Sequence, residues 1–195
     1  MAAKDVFWRT LYTLQMLKDY RQPLGEVYRQ PRVDQLFQTS PQQLKADGVD
    51  VIALDFDGVL SSESELQPEP EVAEWLKEAI QVFGADKVFV LTNKPIAARI
   101  EHFEEHYPGV KYVYGVRKKP YPDGLERIAE LSQTPAEKVI VFDDRLLTGC
   151  LAGCIANTRV GYIRRPYKRF FRRPVKESFF LSLRVVERII IKFST

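Results

Sequence analysis

Residues 51–60, Val-Ile-Ala-Leu-Asp-Phe-Asp-Gly-Val-Leu, constrain the fold more than any other stretch. A short, branched apolar run ends in two aspartates one residue apart, followed by glycine. Such a run reads as a strand buried on both faces, the kind found in parallel sheets. Asp55 and Asp57 then stand at the carboxyl end of the strand, where open α/β sheets place their ligands. Gly58 allows the chain to turn sharply away. Carboxylates gathered at the edge of a core are costly, and a cation is the expected compensation. Taken alone, the pattern also fits a solvated strand-to-loop turn.

The rest of the chain repeats the theme. Further strands are expected at 87–91, 110–114, 138–142 and 159–163. Helices are expected between them at 69–83, 95–106, 122–132 and 146–156. Strands alternating with helices at this spacing predict a doubly wound, mostly parallel, five-stranded Rossmann-like α/β sheet. In the first of these helices Val72, Trp75, Leu76 and Ala79 share the inner face. A helix over 4–19 carries Phe7, Leu11, Leu14 and Leu17 at helical spacing. Residues 20–41, polar with scattered prolines, read as an extended connector. Ser40-Pro41-Gln42-Gln43 is a helix start, with serine as cap and proline first, and Gly48 is its stop. The expected organisation is a helical extension and connector at 1–48, a core at 49–163, and a basic aromatic loop with an amphipathic helix at 164–195.

Composition limits the partners. At 195 residues and 45% hydrophobic content the chain can bury one sizeable core. The net charge of +3 hides an asymmetry. Residues 164–195 hold ten Lys/Arg and two Asp/Glu, a charge of +8, which leaves −5 for residues 1–163. A basic tail on an acidic body points to an anionic surface, either phospholipid headgroups or nucleic acid. No recognition module accompanies the basic run, which argues against nucleic acid. Cys150 and Cys154 do not make a disulfide framework. The chain starts without the apolar run of a signal peptide, and no stretch approaches the roughly 20 apolar residues that span a bilayer.

The chemistry sits at the strand ends. Thr92 follows the second strand, Lys119 lies between the third strand and the next helix, and Asp143 and Asp144 follow the fourth. In a parallel sheet these ends point to one edge, so carboxylates, a hydroxyl and a lysine converge on one crevice. This set suits phosphoryl transfer through a covalent intermediate. An aspartate attacks phosphorus, and a second carboxyl protonates the leaving oxygen and later activates water. Lys119 and Thr92 supply the charge and donor that phosphoryl oxygens need. Mg²⁺ favours oxygen ligands and commonly uses one or two carboxylates with water and phosphate, a need that Asp55 and Asp144 fit, with Asp143 nearby.

At this point the chain resembles the haloacid dehalogenase superfamily, in its phosphatase branch. Asp55-Phe56-Asp57-Gly58-Val59, strand-Thr92-Asn93, Lys119-Pro120 and strand-Asp143-Asp144 occur in the family's order and at compatible spacing. The resemblance implies Asp55 as nucleophile and Asp57 as acid/base. It implies Thr92, Asn93 and Lys119 as substrate binders. Mg²⁺ would be held by Asp55, Asp144, neighbouring Asp143 and the Asp57 backbone carbonyl. Only 27 residues separate Leu60 from Val88 and 26 separate Asn93 from Pro120, so neither gap can hold a cap domain. An open site suits a substrate presented on a surface. Residues 39–49, and the Asp144-Arg145-Leu146-Leu147-Thr148 segment, are similar to capless phosphatidylglycerophosphate phosphatases and their bacterial relatives. Two positions depart from that branch: Phe142-Asp143 replaces a small residue and glycine, and Gly149 replaces a second aspartate.

The tail is a second candidate site. Arg164, Arg165, Lys168, Arg169, Arg172 and Arg173 interleave with aromatics, and a helix over 177–193 follows. Phe179, Leu183, Val186, Ile190 and Phe193 share one face, opposite Arg184, Glu187, Arg188 and Lys192. The pattern suits an element lying at an anionic membrane surface or docked on the core. The expected protein is a Mg²⁺-dependent phosphatase of a phosphorylated lipid headgroup. It would be cytoplasmic and peripheral to the inner face of a membrane, or on the matrix side in a mitochondrion. A soluble, protein or nucleic-acid phosphomonoester, or a lapsed enzyme serving as an adaptor, are the alternatives.

Overall fold

The computed structural model describes residues 3–63, 65–167 and 174–194. The chain opens with α1 (Ala3–Asp19), α2 (Arg21–Arg29) and α3 (Pro41–Ala46). Strands and helices then alternate: β1 (Val51–Leu54), α4 (Pro70–Phe83), β2 (Val88–Leu91), α5 (Ala97–His106), β3 (Lys111–Val113), α6 (Asp123–Ser132) and β4 (Val139–Asp143). A π-helical turn at Leu146–Cys150 leads into α7 (Leu151–Ile155), β5 (Arg159–Tyr162) and finally α8 (Pro174–Ser194). The strands form one parallel sheet in the order β3-β2-β1-β4-β5.

Alternation along each strand builds two cores. Ile52 and Leu54 face α4 and Phe103 of α5, together with Val88, Val90, Ile140 and Phe142. Val51 and Ala53 face the other way, against α6, α7 and the N-terminal helices, with Phe89, Leu91, Val139 and Val141. The inner face expected for α4 is the buried one. Ser40 caps α3 by accepting from the Gln43 N–H at 3.2 Å, and Gly48, with φ of +84°, lets the chain leave that helix. From β1 the chain winds to β2 and β3 on one side, then crosses to β4 and β5 on the other. The carboxyl ends of β1 and β4 therefore flank the crevice where the winding reverses.

The connector expected at 20–41 is in part a helix. Its Pro23 lies in the first turn of α2, where a missing N–H costs nothing. Leu24 and Val27 are buried against the sheet, a pattern that the surrounding polar residues hide in the sequence. Beyond β5 the chain folds back along the crevice. Arg164 and Arg165 N–H groups donate to the carbonyls of Val33 and Asp34, and Tyr167 N–H donates to the Gly58 carbonyl at 3.1 Å. Lys168, Arg169, Phe170, Phe171, Arg172 and Arg173, and the Phe179 side chain, lie outside the described residues.

α8 docks with its charged face inward. Arg184 and Glu187 are buried with Ile191, whereas Val186 is 50% and Phe193 81% exposed. The charged groups find partners on the domain: Arg184 with Asp144, Glu187 with Arg145, and Arg188 Nε with the Tyr162 hydroxyl. Inward placement of this face is tolerated because each of those charges meets an opposite charge or a hydrogen-bonding oxygen. Among the described residues, no helix is long and apolar enough to cross a membrane.

Truncation of the two faces of α8 separates them. Ile191→Ala is expected to cost about 2–4 kcal/mol, as for a fully buried aliphatic side chain, and Val186→Ala less than about 0.5 kcal/mol. Urea unfolding of both variants reads the difference, and equal effects would contradict the docking.

Candidate active site

Lys119 ties the strand ends together. It leaves the loop after β3 and enters the crevice almost fully buried. Its Nζ lies 2.9 Å from Asp55 Oδ1, donates to Asp143 Oδ2 at 2.6 Å, and reaches the Leu91 carbonyl at 3.2 Å. Burial opposes its charge, but Asp143 and Asp55 outweigh that and hold its pKa above the usual lysine value. Asn93 fixes the lysine from its backbone. Its Oδ1 accepts from Lys119 N–H at 2.8 Å and its Nδ2 donates to the Lys119 carbonyl. The Asn93 side-chain amide is thus committed to positioning Lys119, although Asn93 also lines the cleft. Thr92 Oγ1, also on the cleft, accepts from Lys94 N–H.

Asp57 turns away from this cluster. Its carboxylate pairs with Arg99 Nη1 at 2.8 Å. Arg99 is fully buried on the inner face of α5, stacked 3.7 Å from the Phe56 ring centroid, and donates to the Glu65 and Glu63 carbonyls. A buried guanidinium so thoroughly held is a fixed support. Burial raises the Asp57 pKa, and Arg99 pulls against it. Arg99 was not anticipated from the sequence. Its signal was the i, i+4 spacing to Phe103, which places the arginine on the helix face that must meet the sheet.

Asp144 receives Arg184 Nε on Oδ2 at 2.5 Å, while its Oδ1 is buried without a hydrogen-bond partner among the described residues. Burial, with Asp143 adding to it and Arg184 opposing, pushes its pKa up to about 6. Asp55 is pushed to about 8 by burial, against the pull of Lys119. Nothing in the sequence signals this role for Arg184, which the helical pattern sets opposite the apolar face of its helix.

The balance of charge is uneven. Four carboxylates (Asp55, Asp57, Asp143 and Asp144) meet three cations (Lys119, Arg99 and Arg184). Fully ionised, the set would carry one negative charge too many, which the raised pKa values of Asp55 and Asp144 reflect. Asp55, Asp143 and Asp144 each offer an oxygen within 4.8 Å of the others, so this cluster could hold a metal ion. The hard oxygen donors and the unpartnered Asp144 Oδ1 fit a cation such as Mg²⁺. Asp143 contributes charge more than a free ligand atom, because its oxygens already accept from Lys119 and from Arg145 N–H. The Asp57 side chain is not part of the group.

The two departures from the expected motif explain each other. A Cβ on Gly149, in the π-helical turn, would overlap the Asp143 carboxylate. The turn accepts the Asp143 carboxylate only because position 149 has no side chain. Phe142 is accommodated likewise, since a Cβ on its cross-strand neighbour Gly161 would overlap its ring. Gly58 is constrained too. Its φ is +93°, and a Cβ there would lie 2.8 Å from the Asp144 carboxyl carbon and 2.9 Å from Pro166.

These side chains line a cleft of about 220 Å³, with Asp55, Thr92, Lys119 and Asp144 on its walls. Between β1 and β2 and between β2 and β3, no inserted domain is present among the described residues. A family model described as haloacid dehalogenase-like hydrolase matches residues 2–153. A crystal structure of an uncharacterized protein from Corynebacterium glutamicum is 21% identical, covers 70% of this chain and 97% of that one, and superposes with a TM-score of 0.47. No curated protein matches the chain.

Gly149→Ala should destabilise the protein by about 1–3 kcal/mol, the usual cost of overpacking. In an Asp143→Gly background the same change should cost much less. Denaturant unfolding of the cycle measures the coupling, and simple additivity would refute it.

A second expectation concerns pH. Asp55 and Asp144 bind protons more tightly folded than unfolded, so the metal-free protein should lose stability as pH rises from about 4 to about 8. Mg²⁺ should therefore raise Tm more at pH 8 than at pH 5, by about 2–4 °C for each kcal/mol involved. Thermal unfolding with and without Mg²⁺ tests this. A shift independent of pH, and equal in Asp55→Asn, would argue against cation binding here.

Proposed function

We propose, from the premise that the chain belongs to the haloacid dehalogenase-like hydrolase family, that it hydrolyses phosphomonoesters through an aspartyl-phosphate on Asp55. The observation that carries this reading is Asp55, held at 2.9 Å by buried Lys119 on an open cleft, with Asp57 two residues on and separately anchored by Arg99. Asp55 supplies the attacking oxygen. Its bond to phosphorus forms as the ester P–O bond breaks. Asp57, whose pKa burial raises, gives its proton to the leaving oxygen. It then takes a proton from the water that attacks the phosphorus, releasing Asp55 and inorganic phosphate. Arg99 keeps the Asp57 carboxyl on its own side of the crevice, so nucleophile and acid do different work. Lys119 and Thr92 face the phosphoryl oxygens, where positive charge and a hydroxyl donor are most useful. Mg²⁺ held by Asp55, Asp144 and the Asp57 carbonyl would neutralise charge on the phosphate.

The substrate best suited to this cleft is a phosphomonoester on a membrane lipid, with phosphatidylglycerophosphate as the leading candidate through the resemblance at residues 39–49. Three features support a lipid surface. No inserted domain closes the cleft among the described residues. α8 turns Val185, Val186, Ile189 and Phe193 outward, and α1 exposes Phe7, Trp8, Leu11 and Leu14. The basic run beginning at Arg164 joins the core to α8, and cations near an anionic leaflet contribute about 1 kcal/mol each. We place the protein peripherally on the inner face of a membrane.

Phosphate release from phosphatidylglycerophosphate in mixed micelles, beside p-nitrophenyl phosphate, tests the reading. Wild type should require Mg²⁺ and prefer the lipid, and Asp55→Asn should fall to background on both. Asp57→Asn should lose about 10²–10⁴-fold with an alkoxide leaving group. Turnover of the soluble ester alone would remove the lipid and keep the phosphatase.

A further inference from the structure

Next to the catalytic cleft lies a second cavity of about 370 Å³, lined by Arg32, Arg164, Arg165, Arg184 and Arg188. These arginines come from four places in the chain: the segment after α2, the segment after β5, and two successive turns of α8. Their gathering is not explained by ion pairing. Arg32 and Arg165 share one carboxylate, Asp34, at 2.6 and 3.3 Å. Arg184 is paired with Asp144. Arg164 and Arg188 form no salt bridge among the described residues, although Arg164 also lies within the field of Asp34. They are braced instead by neutral oxygens and rings. Arg164 Nη2 donates to the Tyr28 carbonyl, and its guanidinium lies 4.9 and 5.6 Å from the Tyr28 and Tyr162 ring centroids. Arg188 donates from Nε to the Tyr162 hydroxyl at 2.8 Å and from Nη2 to the Arg164 carbonyl. Among the described residues, the salt bridges of these five guanidiniums reach two carboxylates, Asp34 and Asp144, and like charges held this close repel unless an anion lies among them. Planar guanidiniums fixed in advance suit the paired oxygens of a phosphate.

The two cavities adjoin. Arg184 lines both. Pro166, on the wall of the arginine cavity, abuts Gly58 on the wall of the cleft. We infer that the arginine cavity binds a second phosphate of the substrate, a phosphodiester a short linker away from the phosphomonoester that Asp55 attacks. This inference rests on the phosphatase reading for the monoester. It adds where the second phosphate of such a substrate is held, and by which side chains.

The test uses the full chain and four proteins: wild type, Arg188→Gln, Arg188→Lys and the double variant Arg32→Gln/Arg165→Gln, whose two side chains are largely exposed. Kinetics compare glycerol 1-phosphate with glycerophosphoglycerol phosphate, the deacylated headgroup that carries both groups. Wild type should favour the two-phosphate ester in kcat/KM. That ratio should fall about tenfold in Arg188→Gln and in the double variant, the scale of a lost charged hydrogen bond, and recover in part in Arg188→Lys. An unchanged ratio in folded variants would overturn the inference. Phosphatidylglycerophosphate micelles form a further arm. A loss confined to micelles would mean that the arginines meet the bilayer and not the substrate's own diester, which also overturns it.

Calorimetric titration with glycerophosphoglycerol, a diester without a monoester, isolates the cavity from catalysis. Binding that persists in Asp55→Asn and weakens in Arg188→Gln supports the site even if no ester is turned over, a result that would count against the phosphatase reading alone. Absence of binding to wild type would count against the site.

Discussion

The buried charge at the carboxyl edge of the sheet governs this structure. Four carboxylates are drawn to one crevice by the ends of β1 and β4, and three cations are drawn in to meet them. Each cation comes from a different element: Lys119 from the loop before α6, Arg99 from α5 and Arg184 from α8. Removing any of them would leave a buried carboxylate uncompensated, which is far more costly than the pair is stabilising. Burial raises the Asp55 pKa to about 8, and the neighbouring carboxylates add to it against the pull of Lys119. A site built this way is poised for a cation and for a substrate that brings its own charge.

The same constraint explains the unusual motif after β4. Asp143 fills the space beside Gly149, and Phe142 fills the space beside Gly161. Each departure looks like damage when read singly. Together they leave two acidic residues, Asp143 and Asp144, near Asp55 and let the π-helical turn close.

α8 connects the catalytic edge to the molecule's outer surface. Its charged face is inside because Asp144 and Arg145 offer partners there, and its apolar face is outside. One helix therefore supports a candidate metal ligand, lines two cavities and presents hydrophobic side chains outward. Anything that engages the outer face of α8 acts on an element directly bonded to the site.

The sheet and the main cluster were legible in the sequence because they follow from local rules. Short continuous apolar runs specify strands buried on both faces, 3.6-residue patterns specify the covering helices, and parallel strands must end on the same side. Asp55, Asp57, Thr92, Lys119, Asp143 and Asp144 could be placed on that edge from order alone. Arg99 and Arg184 could not, since their partners lie 42 and 40 residues away along the chain. Hydrophobicity patterns score such residues as outward-facing, and only a specific counter-charge reverses the sign. The helix at 21–29, the inverted docking of α8 and the compensation between positions 143 and 149 belong to the same class. Each depends on what another part of the chain brings to the contact, and that is decided by tertiary packing.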